Sequence, residues 1–178
     1  MACKYCKDEF CVNDECPMCG DYCPVVYYPG VCKYEDVMPL ERFLEAQSEN
    51  YKDALEEIKS GHKATHWMWY VFPQYKGLGM SETAKYFEIQ SRDEARAYWQ
   101  HPILGMRLRD CMRALLNLET NDAEEIFGPV DAEKLKSCMT LFLYHGGQHL
   151  CGEVLDKFFP RMLCWATIKI LLKEGDFE

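Results

Sequence analysis

The stretch HKATHWMWYVFPQYKGLGMS, residues 62–81, decides how the rest of the chain is read. His66, Trp67, Met68, Trp69, Tyr70, Val71 and Phe72 form a dense apolar block. Pro73 breaks it, and Gln74, Lys76, Gly77 and Gly79 lead to a helix-start signal at Ser81. An apolar block that hands over to a polar, glycine-bearing loop is a common way of standing a site on a rigid base. The β-branched and aromatic content suits a strand, whereas His66, Trp69 and Tyr70 share one helical face. Periodicity alone does not decide so short an apolar run.

Outward from this block the patterning is helical. In PLERFLEAQSENYKDALEEIKSG, residues 39–61, Leu40, Phe43, Leu44, Tyr51, Leu55 and Ile58 fall on one helical face, with Pro39 suited to a first turn and Gly61 to a stop. The Glu-rich outer face reads as solvated surface. Ser81 caps a short helix through Tyr86, and Ser91-Arg92-Asp93-Glu94 is a capping box opening a helix to about Gln100. Pro102 begins a further helix with Leu104, Leu108, Cys111, Met112, Leu115 and Leu116 inward. Asp122 caps a turn ending at Gly128, and Pro129 to about Tyr144 carries Leu135, Cys138, Met139, Phe142 and Leu143 at helical spacing. Segments near residues 150–159 and 162–173 complete a mainly α, compact multi-helix body of about seven helices.

The chain's 178 residues suit one domain, here residues 37–178, with an appendage at residues 1–36. A formal net charge of −9 argues against a protein that tracks nucleic-acid backbones, which needs clustered Lys and Arg. No apolar run approaches the roughly 18 residues a membrane helix needs. The opening MACKYCKDEF carries charge and cysteine where an export signal is apolar, so a cytoplasmic location is the expectation.

The appendage holds seven of the eleven cysteines, at Cys3, Cys6, Cys11, Cys16, Cys19, Cys23 and Cys32. Two Cys-x-x-Cys hooks separated by a short loop are how a segment with little core is stabilised by tetrahedral zinc. Structural zinc on Cys3, Cys6, Cys16 and Cys19 is the single-ion expectation, and Cys11, Cys23 and Cys32 are alternative ligands or the makings of a second site. Reduced or redox-active thiols and iron–sulfur ligation are the competing readings. Cys111, Cys138, Cys151 and Cys164 fall at apolar helix positions, as small buried hydrophobes do.

HWMWYVFPQYKGLGMS resembles the bacterial family catalogued as domain of unknown function 1810, some members of which carry a calpastatin-like label. The resemblance continues through SRDEARAYWQHPILGMRL, EEIFGPVDAEKLKSCMTLF and VLDKFF, from about Pro39 to Phe159. It implies a small, mainly α-helical domain and so favours helix for the central block. It implies no reaction, and the cysteine-rich start lies outside the family pattern.

His66 is the candidate acid or base, since imidazole exchanges protons near neutral pH, and the competing reading is a satisfied core histidine. Trp67 and Trp69 offer flat faces for a ring or a cation. Gln74, Lys76, Gly77, Gly79 and Ser81 form a candidate anion-binding loop, against the plainer reading of a turn with an N-cap. Asp131, Lys134 and Ser137 are spaced by threes on one helical side and, with Thr140, form a third group together with His101 and Arg107. The plain alternative is an acid that stabilises a helix start and pairs with Lys134. His145 and His149 flank Gly146-Gly147 as metal ligands or as surface-loop histidines.

No nucleophile elbow, Walker loop, zinc-protease helix or kinase signature is present. The leading expectation is a domain binding a small anionic, nucleotide-like ligand between residues 66–81 and 131–140. Its enzymatic version hydrolyses or transfers a group of an ADP-ribose-type compound. The alternative is a non-enzymatic interaction domain that docks a protein partner through its zinc module.

Overall fold

The computed structural model describes residues 40–160 and 162–175, together with the backbone of a short antiparallel pairing of Cys6–Lys7 with Phe10–Cys11. The described residues form eight helices: α1 (Glu41–Ser60), α2 (Met68–Val71), α3 (Glu82–Tyr86), α4 (Arg92–Gln100), α5 (Leu104–Leu116), α6 (Ala123–Tyr144), α7 (Gln148–Phe158) and α8 (Trp165–Glu174). The side chains of Cys3, Cys6, Cys16 and Cys19, where zinc is expected, lie outside the described residues.

Local signals set the helix ends. Gly61 takes a left-handed conformation, φ 71°, and its N–H closes α1 onto the carbonyls of Glu57 and Ile58. Ser81 Oγ accepts from the Ala84 N–H at 3.1 Å, and Ser91 Oγ from the Glu94 N–H at 3.1 Å. The Glu94 carboxylate reaches back to the N–H of Gln90 and pairs with Arg42. Gly128, at φ 73° and ψ 165°, sits in a region open only to glycine and, with Pro129, splits α6 into a first turn and a long second part.

The core closes because these helices bury their apolar faces on one another. α1 lies on α5 and α2, α6 pairs with α7, and α8 packs against α6. Three cysteines behave as expected: Cys111, Cys138 and Cys151 are buried and free, and burial pushes their thiols up, that of Cys151 to about 12. Cys164 is only half-buried and serves elsewhere.

Both ends of α5 are held by side chains from outside the helix. His101 Nδ1 accepts from the N–H groups of Ile103 and Leu104 at 3.1 and 3.2 Å, capping the helix start. Lys157 Nζ donates to the carbonyls of Leu115, Leu116 and Leu118, placing a cation at the helix end. The corner between α6 and α7 corrects a second expectation. His145 is buried, not a surface-loop histidine, because the Gly146-Gly147 turn is packed against the Trp99 ring.

Candidate ligand cleft

The central stretch is helical for one turn only, Met68–Val71, and is clamped on both sides. On one side, Glu57 of α1 gathers four donors. Its Oε2 accepts from the N–H groups of Ala64 (2.8 Å) and Thr65 (3.1 Å) and from Trp67 Nε1 (2.7 Å); its Oε1 accepts from Thr65 Oγ1 (2.7 Å). Burial works against the charged carboxylate, but these hydrogen bonds outweigh it and hold its pKa at about 2. On the other side, Gln47 Nε2 and the hydroxyl of Tyr98 both donate to the carbonyl of Tyr70, at 2.7 and 3.0 Å. Neither Glu57 nor Gln47 was singled out by patterning. The signal for Gln47 was its place on the apolar face of α1.

Beyond the turn, the chain makes an excursion through residues 73–90 that is tied back at several points. A parallel bridge joins Tyr75 to Ile89. The Tyr75 hydroxyl donates to Glu174 Oε2 at 2.6 Å, and Lys76 Nζ pairs with Glu174 Oε1 at 2.9 Å, so the end of α8 fastens the loop. Burial opposes ionisation of Glu174, but Tyr75 and Lys76 prevail and lower its pKa. Gly79 packs so closely on α3 that a Cβ there would lie 2.3 Å from the Ala84 Cβ, which explains glycine at that position.

Between this loop, the second part of α6 and the start of α8 opens a cleft of about 380 Å³. Trp69, Gln74, Gly79, Ser81, Lys134 and Ser137, six of the residues picked from sequence, line it. Leu78, Met80, Val130, Cys164 and Ala166 supply apolar walls. The Lys134 ammonium stands 4.6 Å from the Trp69 ring centroid and 2.7 Å from Asp131 Oδ1. Asp131 Oδ2 meets a second lysine, Lys63, at 2.8 Å. Burial alone would raise the Asp131 pKa; hydrogen bonds from Lys134 and Lys63 reverse this and lower it. Glu133 is engaged by Lys136 at 2.5 Å. Glu133 lines the cleft beside Lys134, while Lys63 and Lys136 reach these carboxylates from outside the lining.

The remaining sequence-picked residues stand apart from the cleft lining. His66 is exposed beside Trp69, with ring centroids 6.4 Å apart. Trp67 is fully buried, its N–H held by Glu57 and its ring against Phe72 and Phe127, so it builds core and offers no stacking face. Lys76 is spent on Glu174, and Gly77 is a turn residue at φ 81° whose N–H meets Glu88 Oε1 at 3.0 Å. Arg107 stacks on Tyr51 at 4.7 Å and reaches Gln47, between α1 and α5. Asp131 lies behind Lys134, orienting it. The helix that Ser81 opens is five residues long, so the N-cap reading accounts for Ser81. Among the described residues no group of three or more His, Cys, Asp or Glu side chains is arranged to hold a metal, His145 and His149 included. No helix among them is long and apolar enough to cross a membrane.

Comparison with known proteins agrees with the helical reading. The family described as protein of unknown function (DUF1810) matches residues 37–171. The chain is 40% identical to the conserved hypothetical protein Rv1873 from Mycobacterium tuberculosis, whose crystal structure superposes with a TM-score of 0.73. That match spans 75% of this chain and 96% of the other. No curated protein matches.

Proposed function

The chain belongs to the DUF1810 family, and we propose that it is a binding domain for a small anionic ligand with a flat or apolar portion, taken up in the cleft. The observation that carries this is Lys134. Its ammonium is held by the Trp69 face and by Asp131, and it lines a cleft whose other walls are mainly apolar. A cation fixed before the ligand arrives loses little freedom on binding, and a few polar groups in an apolar cleft set orientation. Gln74 and Ser81 supply further hydrogen-bonding groups at the same opening.

Binding is favoured over turnover because His66, the sequence-picked acid or base, stands outside the lining. An ADP-ribose-type compound satisfies the charge and ring requirements as one member of a wider class. Structural zinc on Cys3, Cys6, Cys16 and Cys19 is proposed on the chemistry of two thiolate hooks.

Native mass spectrometry of gently purified protein, set beside the denatured mass, reads both ideas. Zinc adds its own mass, and a retained organic molecule adds a few hundred daltons. Saturation-transfer NMR with benzoate, a flat carboxylate small enough for the cleft, gives a defined probe. Loss of the benzoate signal in Lys134→Met and its weakening in Trp69→Ala are expected; an unchanged signal in both variants rules the cleft out as the site.

A further inference from the structure

The second part of α6 turns one stripe toward the cleft, for Val130, Glu133, Lys134 and Ser137 stand three and four residues apart and all line it. Among the described residues, Glu133 and Lys134 are the only charged side chains in the lining, one of each sign. Adjacent residues on a helix point apart, so these two do not neutralise each other. Each is steadied instead by a partner three residues away, Glu133 by Lys136 and Lys134 by Asp131.

Those partners leave part of each group uncommitted. An ammonium has three N–H donors, and Lys134 spends one on Asp131 Oδ1; a carboxylate has two oxygens, and Lys136 takes only Oε1 of Glu133. No other hydrogen bond among the described residues reaches Lys134 Nζ or Glu133 Oε2. The Gln74 side-chain amide, donor and acceptor together, is likewise unbonded within the described residues. The cleft therefore offers donors and acceptors side by side, and Leu78, Met80, Val130 and Ala166 add apolar wall. Lys134 is the deeper of the two charges, its side chain 19% exposed against 65% for Glu133.

We infer that the occupant is a small zwitterion with an apolar tail, the chemistry of a free aliphatic α-amino acid. The inference rests on the cleft being a ligand site and names what the ligand carries besides its anion. The carboxylate meets Lys134, the ammonium meets Glu133 Oε2 nearer the mouth, and the tail lies along the apolar wall. A ligand with an anion alone gains Lys134 but is repelled by the Glu133 carboxylate, and an ammonium beside the anion turns that repulsion into attraction.

The test is a chemical-shift titration of the isotope-labelled full chain with leucine, 4-methylpentanoate and 3-methylbutylamine, which share one branched tail and differ in their charged groups. Leucine is expected to move the backbone resonances of Trp69, Gln74 and Ser81 and to bind about three- to fivefold more tightly than either single-charge analogue. Glu133→Gln should remove the advantage over 4-methylpentanoate while leaving 4-methylpentanoate itself bound as well or better. Lys134→Met should weaken both. Glu133 is exposed, so the amide spectrum of Glu133→Gln should otherwise match the parent's. If 4-methylpentanoate or benzoate binds through Lys134 and leucine binds no more tightly than 4-methylpentanoate, the inference is overturned and the anion reading stands. A leucine advantage that survives Glu133→Gln, or an amine that binds as tightly as leucine, also overturns it. If no probe, benzoate included, moves the cleft resonances, both fall.

Discussion

Trp67 and Trp69 stand two residues apart in one aromatic block, yet they belong to different parts of the molecule. Trp67 is enclosed by Phe72 and Phe127 with its N–H held by Glu57. Trp69 is partly buried, carries Lys134 over its ring and opens onto the cleft. The clamped side satisfies the polar groups of the turn at residues 64–67, while the open side gives onto the cleft with Lys134 and the exposed Met80 and Val130. A block that looks uniform in sequence thus divides into a foundation and a binding face, because one helical turn aims successive side chains in different directions.

The sharpest way to break this division is to truncate each tryptophan. Trp67→Ala is expected to cost about 3–5 kcal/mol in urea unfolding, as for a fully buried tryptophan. Trp69→Ala should cost less than Trp67→Ala, since its side chain is only partly buried and opens onto the cleft, and weaken ligand binding instead. Equal losses from the two would erase the distinction.

The next largest effect tests the clamp itself. Glu57→Ala leaves the buried Trp67 N–H without its acceptor and should cost about 2 kcal/mol, with Glu57→Gln recovering part of it. Because the Glu57 pKa is about 2 when folded and near 4.5 in its ordinary state, its contribution is complete above pH 4.5 and fades as pH falls toward 2. Stability followed by chemical denaturation across that window should fall more gently in Glu57→Gln.

A separate acid dependence, in a higher pH window, comes from His101. Burial lowers its pKa to about 4 from 6.5, with the charge of nearby Glu41 opposing and that of Arg107 assisting. Between those values the unfolded chain binds a proton that the folded chain refuses, so stability should decline as pH drops from 6.5 to 4. Substituting His101→Asn, which keeps a side-chain acceptor near the N–H groups of Ile103 and Leu104, should flatten that limb. The smallest effect expected is from zinc. With zinc bound as proposed, a chelator should remove it while leaving the melting of the helical body nearly unchanged, since Leu40 to Leu171 share one core.

Much of the helical layout was legible because its signals are local. A 3.6-residue apolar spacing, a serine three residues before the N–H it accepts, and a glycine or proline at a boundary act within a few residues of themselves. Hence the break at Gly128-Pro129, the cap at Ser81, the cap at Ser91 and the stop at Gly61 were all readable, and the structure has each of them. The capping box was half right: Ser91 caps, but Glu94 turns to Gln90 and Arg42, a partner 52 residues away.

Trp69, Gln74, Gly79 and Ser81 were named from sequence because they lie in or just after the apolar block, and Lys134 and Ser137 because they are spaced by threes with Asp131, both of which are local properties. The sorting of their neighbours was not legible. That Trp67 faces inward, that Arg107 lies on Tyr51, that Lys76 is taken by Glu174 and that Gln47 is buried all depend on segments dozens of residues distant. Sequence by itself determined that this chain builds a helical body around an aromatic turn, with its helix ends where caps and breakers stand. Only the tertiary structure decided which side of that turn is core and which is cleft, because exposure is a property of what packs on a residue rather than of the residue itself.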